Sequence, residues 1–452
     1  MASKVIKYTN HEIFAIPVGN SLGLLDDEAV KVLYAPLSEE YTLMGKDEER
    51  EIREHIERGA DISVSLKEIA DDMVSVPDNY AEILSSIPDI SKTTKMSLLP
   101  NLICNFSCSY CYSAKGRSGT TISWDRAKQA LDFFINSDRI PPQHLSLFIS
   151  GGGEPLVSWN VISRCIEYAK KRCQEQGFTI YISIVTNGSL LTPEIADFLL
   201  EHNCSVCVSF EVLKSLQDSQ RGSYEKVHNN IIMLSQKGVR VMLNSTITPS
   251  SVSLMQEMVK TVGENYPFVA QYTMEPVTSV DLFDSAEKLE IFYDTFYNEY
   301  LKSKEIADKN GVPLRFTFDD DFRDVTVRHC PGKFCITPQG EISVCHLVSS
   351  PKETRYKDCV YGVVEESGVK IDKEHFNRLY SVNLFSYERC NDCFAKYCCG
   401  GECMTRNAIY PADYMEKVCD FNRRFVRYRL LAKIEAVVKE SSGLSLKEYV
   451  RE

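Results

Sequence analysis

Cys104, Cys108 and Cys111 place three thiols on one short stretch, "CNFSCSYCY", interleaved with Phe106 and Tyr110 and followed by Tyr112. Thiolates so spaced can grip one face of a metal centre. A structural zinc site closes with four protein ligands, and a four-cysteine [4Fe-4S] cluster likewise leaves no iron free. A cluster held by three cysteines keeps one iron open to an outside ligand, so the missing fourth cysteine is the informative feature. On spacing alone, zinc ligation and core packing stay as open as the cluster.

Most of the other cysteines crowd from Cys330 to Cys419: Cys330, Cys335 and Cys345, then "CNDCFAKYCCGGEC" with Cys390, Cys393, Cys399 and Cys403, and finally Cys419. Zinc ribbons use spacings like those of "CNDC" and its followers. Seventeen cysteines in 452 residues, behind a start, "MASKVIKYTNHEIF", that lacks an apolar run after a basic stretch, suit metal binding or chemistry in the cytoplasm better than disulfides. Cys165, Cys173, Cys204, Cys207, Cys359 and Cys398 fall outside both groups. Cys204 and Cys207 lie in a buried-strand pattern and read as core thiols.

The elements that must position these groups follow a period of about 30 residues. From residue 96 to 310, short β-branched runs alternate with amphipathic ones: "MSLLPNL", "HLSLFIS", "FTIYISIVTNG", "CSVCVSFEV", "RVMLNSTIT" and "FVAQYTMEPV" are each followed by a helical segment. Six such units predict parallel strands with crossover helices, an α/β fold. The loops "CNFSCSYCY", "SGGGEP", "TNG" and "FEVLKSLQDSQRG" each follow a strand, where reactive residues of such sheets gather.

Residues 1–92 read differently, as a small α+β module of strand-like "KVIKYTNHEIFAIPV" and "KVLYAPLSEEYTLM" and helical "KDEEREIREHIERG" and "SLKEIADDM". Asn-Gly and Pro in "DKNGVPLRFTFDDDFRDV" mark a boundary near residue 312. Residues 313–425 hold the second thiol-rich stretch, and the tail after Cys419 is one amphipathic helix, leaving 426–452 as its own segment. The net charge of -12 argues against a nucleic-acid backbone as partner, and no window reaches the 18 or so apolar residues of a membrane span.

C-x3-C-x2-C with an aromatic before the third cysteine, after the first strand of an α/β domain, resembles the radical S-adenosylmethionine (radical SAM) enzymes. The resemblance spans about residues 95 to 310 and implies a partial (β/α)6 TIM-like barrel. In that superfamily the open iron is chelated by S-adenosylmethionine, which is cleaved reductively to methionine and a 5'-deoxyadenosyl radical. "SGGGEPL" resembles the family's GGEP element, so Gly152, Gly153 and Glu154 are expected at the methionine amino group. Thr186 and Asn187 of "TNG" are expected beside the ribose and methionine, and Tyr110 beside the cofactor. Ser209 and Arg221 resemble positions that meet the carboxylate, a natural use of a guanidinium fork. Many relatives carry Asp-Gly two residues after that serine, whereas this chain has Glu211-Val212.

The second stretch, read as C-x9-G-x4-C, C-x2-C-x5-C-x3-C and a last cysteine, resembles the seven-cysteine pattern of SPASM domains, which hold two auxiliary clusters. The resemblance implies Cys330, Cys345 and Cys403 for auxiliary cluster I, with Cys335 as its fourth ligand, and Cys390, Cys393, Cys399 and Cys419 for cluster II. Three [4Fe-4S] clusters and S-adenosylmethionine are thus the expected cofactors.

SPASM enzymes mostly modify peptides. The amino-terminal module resembles winged-helix-like units that bind a leader peptide as an added strand. The expected activity is cross-linking of a precursor peptide through a thioether, carbon-carbon or ether bond, with flavodoxin or ferredoxin as reductant. A sulfatase-type maturase that forms formylglycine is the alternative. There an aspartate base follows the C-x-G-x4-C cysteine; here that residue is His346, which could also take a proton. A further alternative is an iron-sulfur electron carrier without radical chemistry.

Overall fold

A computed structural model describes residues 4–320, 325–330 and 332–451. Residues 321–324 of the expected boundary run and Pro331 of "CPGKFC" lie outside the described residues. The chain forms two compact units, one of residues 1–86, 318–330 and 382–452 and the other of residues 87–317 and 331–381.

The second unit is built on an open sheet whose central strands are parallel. Its strands are β5 (Lys95–Leu98), β6 (His144–Ile149), β7 (Thr179–Thr186), β8 (Ser205–Ser209), β9 (Val241–Ile247), β10 (Gln271–Pro276) and the short β11 (Leu314–Arg315). These seven are parallel neighbours in reverse chain order, β11 to β5. The six expected strands are all present, and β11 is an addition. Crossover helices such as Trp159–Gln176 and Met255–Asn265 bury Ile162, Ile166, Met258 and Val259.

Alternation along the strands separates two faces, because side chains point to opposite sides with a period of two. In β9, Val241, Leu243, Ser245 and Ile247 are buried, while Met242, Asn244 and Thr246 are partly accessible. In β10, Tyr272, Met274 and Pro276 alternate with Gln271, Thr273 and Glu275 in the same way. One face is thus the apolar core, and the other offers amides, hydroxyls and a carboxylate.

Next to β5 the sheet continues through β12 (Phe334–Ile336), β13 (Glu341–Ser343), β14 (Val360–Glu365) and β15 (Gly368–Ile371). Strand β12 pairs parallel with β5, and the last four form an antiparallel meander. Residues 334–371 therefore join the parallel sheet, while the cysteine-rich residues 382–425 belong to the other unit.

The first unit carries an antiparallel sheet of β1 (Ile6–Lys7), β2 (Phe14–Pro17), β3 (Val30–Ala35) and β4 (Glu40–Gly45) in that order. Both faces are covered. Ala15, Leu33, Ala35 and Met44 pack on Ile52, Ala70 and Met73 of the helices Lys46–Arg58 and Val64–Val74. Phe14, Ile16, Val32 and Tyr34 pack on Phe394, Ala395, Cys398, Val426 and Leu430. The last two belong to the helix Ala412–Ser442, which begins before Cys419 rather than after it. No helix among the described residues is long and apolar enough to cross a membrane.

Candidate functional site

The three-cysteine loop leaves the end of β5 and is tied down by its non-cysteine residues. Asn105 donates Nδ2 to Ser189 Oγ at 2.8 Å and accepts from Asn187 Nδ2 at 2.9 Å. The Ser109 N–H donates to Gln220 O at 3.0 Å. Arg117 donates Nη1 to Phe106 O at 2.5 Å and Nη2 to Cys111 Sγ at 3.4 Å. Burial raises the Cys108 thiol; Arg221 opposes this, and Cys111 and Cys104 add to it. The donor set fits a cluster with one open iron: three thiols with an Arg N–H on one sulfur, an arrangement that tunes such centres. Asn105 and Arg117 carry no motif signal and were not singled out from the sequence.

The glycine loop after β6 is shaped by close approach. Gly151 and Gly152 have φ of 84° and 69°. A Cβ on Gly152 would stand 2.5 Å from Asn101 O, and one on Gly153 2.0 Å from Ile103 O. Only glycine fits. Glu154 follows, 2 % exposed. Its Oε1 accepts from Leu156 N at 3.1 Å and Thr186 Oγ1 at 2.6 Å, and its Oε2 accepts from Asn187 N at 2.7 Å. Burial raises this carboxyl, and the Asn187, Thr186 and Leu156 bonds oppose that. A carboxylate offers about four acceptor positions, so one remains for an ammonium. Glu154, Thr186 and Asn187 are thereby gathered at one place with the cysteine loop.

Tyr110, Glu211 and Arg221 form a second junction. The Tyr110 hydroxyl donates to Glu211 Oε1 and accepts from Arg221 Nη1 at 2.8 Å. Glu211 is wholly buried, and burial pushes its carboxyl up to about 7 against the opposing pull of Arg221 and Tyr110. Glu211 Oε2, Arg221 Nε and Asn244 Oδ1 are buried and have no hydrogen-bond partner among the described residues. Asn244 stands beside Ser209 in the β8–β9 register. Unpaired buried polar atoms are costly, which makes these three atoms candidates to bond a polar ligand. Val212 has φ of 62°, a left-handed conformation that suits glycine and is strained for a β-branched residue.

Further along the same unit, Lys333 Nζ meets His346 Nδ1 at 2.6 Å. An ammonium only donates, so the Nδ1 lone pair is occupied and a neutral ring carries its proton on Nε2. Burial drives the imidazole down to about 3, with Lys333 adding to the effect. Tyr112 meets the His346 ring edge-on at 6.3 Å. Cys335 is wholly buried in β12, opposite Ser97 of β5 and Ser343 of β13. Of the first auxiliary set, Cys335 and Cys345 belong to this unit and Cys330 and Cys403 to the other.

The second auxiliary set is gathered within the first unit. Cys390, Cys393, Cys399 and Cys419 line one cavity together with Arg389, Lys396, Gly401 and Asn422. All seventeen cysteines stand outside disulfides. Asn422 donates Nδ2 to Cys399 Sγ at 3.4 Å and to Glu402 Oε2 at 2.7 Å. Burial raises the Cys419 and Cys390 thiols, the latter to about 11, and Arg389 opposes both shifts. Thiols so desolvated stay protonated, and a metal bound among them would supply, with Arg389 and Lys396, the positive charge that their thiolates need. Four cysteines around a cavity fit a fully ligated cluster.

The radical SAM superfamily pattern matches residues 98–261. The chain is 22% identical over 354 residues to "Radical SAM cyclopropyl synthase TigE" of Paramaledivibacter caminithermalis, covering 72% of this chain and 71% of that protein. It is 23% identical over 295 residues to the "Cysteine-type anaerobic sulfatase-maturating enzyme" of Clostridium novyi, covering 62% and 77%. The solved structure "Native anSMEcpe with bound AdoMet" superposes with a TM-score of 0.57 at 15% identity over 76% of this chain and 99% of that one, a likeness of fold. The chain carries a radical SAM domain across residues 98–261 and is an enzyme.

Proposed function

We propose that this enzyme is a peptide maturase that cross-links a precursor peptide through hydrogen-atom abstraction. The observation that carries the reading is the junction of the Cys104–Cys111 loop with Glu154, Thr186 and Asn187 through Asn105. A [4Fe-4S] cluster and S-adenosylmethionine, when bound there, supply the 5'-deoxyadenosyl radical. Cys104, Cys108 and Cys111 hold the metal. The free acceptor position on Glu154 would take the methionine ammonium, and Arg221 and Ser209 would hold its carboxylate. The accessible amides and hydroxyls of β9 and β10 suit a peptide backbone.

The reading includes a SPASM-type pair of auxiliary clusters in residues 313–425, a leader-binding role for the amino-terminal sheet, and flavodoxin or ferredoxin as reductant. The cavity of Cys390, Cys393, Cys399 and Cys419 supports cluster II. Cluster I is assigned from the cysteine pattern alone, with Cys335 as fourth ligand.

Formation of formylglycine is the second reading, and the sulfatase-maturating relatives favour it equally. His346 stands where that chemistry would want a base, and its occupied Nδ1 weighs against such a role. The electron-carrier alternative is not retained. Anaerobic incubation with S-adenosylmethionine, dithionite and either a peptide encoded beside the gene or a Cys- or Ser-containing sulfatase peptide separates the two. A cross-linked product loses two hydrogens and resists fragmentation between the joined residues. A formylglycine product reacts with a hydrazine, and its formation from the sulfatase peptide alone would overturn the cross-linking assignment.

A further inference from the structure

The "CNDC" loop of the first unit is fastened to the amino-terminal sheet by Lys7, which meets the Asn391 carbonyl and, at 4.0 Å, the Asp392 carboxylate. Asn391 O, immediately after Cys390, accepts from Lys396 Nζ at 3.0 Å and from Lys7 Nζ at 3.0 Å. Glu12 bridges the two lysines, with Oε1 at 3.1 Å from Lys7 Nζ and Oε2 at 2.6 Å from Lys396 Nζ. Lys396 is only 3 % exposed and lines the cavity of Cys390, Cys393, Cys399 and Cys419. Glu12 pairs with Lys396, which lines the cavity.

A buried ammonium beside a cluster of four thiolates stabilises the electron that reduction adds, because the positive charge is poorly screened there. Its carboxylate partner offsets part of that field. We propose that Glu12 is a positioning residue for Lys396, and that together they make the amino-terminal sheet part of auxiliary cluster II by setting that cluster's reduction potential. Whatever engages the loop between β1 and β2 thereby acts on the cluster as well. The proposal rests on the reading of the cavity as a cluster site.

The test is an EPR-monitored redox titration of the full-length enzyme. The cluster II signal is identified as the one lost in Cys393→Ala. At fixed potential, Lys396→Met is expected to lower the reduced fraction of that signal about tenfold. Glu12→Gln is expected to raise it, and Lys396→Arg to stay near the parent. A bolt of purely mechanical importance would leave the potential unmoved in every variant that keeps its iron, and that result overturns the positioning role while leaving cluster II in place. If Cys393→Ala removes no signal, iron or sulfide, the cluster reading fails and the proposal falls with it. Should Lys396→Met not fold, Glu12→Gln and Lys396→Arg still decide the matter.

Discussion

Arg221 donates Nη1 to the Tyr110 hydroxyl at 2.8 Å, which joins the helix after β8 to the loop that carries the three cysteines. The same hydroxyl donates to Glu211, so a buried carboxyl, a phenol and a guanidinium form one chain.

That chain predicts a pH dependence. Burial holds the Glu211 carboxyl at about 7, above the value of an unfolded carboxyl, so folding favours the protonated form. Its contribution to stability is full at low pH and is lost as pH rises through about 7. Between about pH 5 and pH 8 the parent should lose on the order of 2 to 3 kcal/mol relative to Glu211→Gln. Urea midpoints across that range check the trend; parallel profiles for the two proteins would contradict it.

Val212 predicts an inverted ranking. Its φ of 62° suits glycine, so Val212→Gly should be more stable than Val212→Ala by about 1 kcal/mol, although alanine retains more buried carbon. Chemical denaturation of the two variants measures this. Alanine equal to or above glycine would show that the left-handed backbone costs nothing here.

Glu154→Gln replaces an oxygen that accepts hydrogen bonds with an amide that must present an N–H to Leu156, Thr186 or Asn187. Losing a charge-assisted bond of about 1.5 to 3 kcal/mol should weaken S-adenosylmethionine binding roughly 10- to 150-fold. Equilibrium dialysis with labelled cofactor on iron-loaded protein reads it, and unchanged binding would place the ammonium elsewhere.

Phe14 is wholly buried in the core that β2 shares with Phe394, Val426 and Leu430. Phe14→Ala should cost about 3 to 5 kcal/mol and should be felt as lost iron at Cys390, Cys393, Cys399 and Cys419. For the same reason, deleting the amino-terminal sheet strips the cysteine-rich segment of its packing, so leader binding is better probed with charge changes on exposed residues of β4, such as Glu40. Full iron in Phe14→Ala would show that the two parts fold independently.

Much of the parallel sheet was legible because β-branched runs and helical periodicity are local signals. The expected boundaries of β6 to β10 differ from the observed ones by a few residues. The short β11 was not legible: Leu314 and Arg315 have no pattern of their own and are strand only through pairing with β10. The stretch "FEVLKSLQDSQRG" has the composition of a loop, yet Lys214–Gln220 is helical, its ends closed by backbone bonds from Gln217 N to Leu213 O and from Arg221 N to Gln217 O. The pairing of β12 with β5, which buries Cys335, joins residues far apart in the chain and leaves no trace in spacing. Packing of the amino-terminal sheet on the helix Ala412–Ser442 is equally nonlocal. At the site, cysteine and glycine spacings were readable because ligation and close approach demand those residue types, whereas Asn105, Arg117 and Lys333 act through generic hydrogen bonds. At Val212 the backbone keeps a glycine-like conformation that the residue itself conceals.

The most direct test of the central claim is anaerobic incubation of reconstituted enzyme with S-adenosylmethionine and dithionite, with 5'-deoxyadenosine measured by chromatography. The account predicts 5'-deoxyadenosine from the parent and none from the Cys104, Cys108, Cys111→Ala triple variant, which should still retain the iron held by Cys390, Cys393, Cys399 and Cys419. A parent carrying iron and sulfide at Cys104, Cys108 and Cys111 that forms no 5'-deoxyadenosine, or a triple variant that forms it undiminished, would contradict the account.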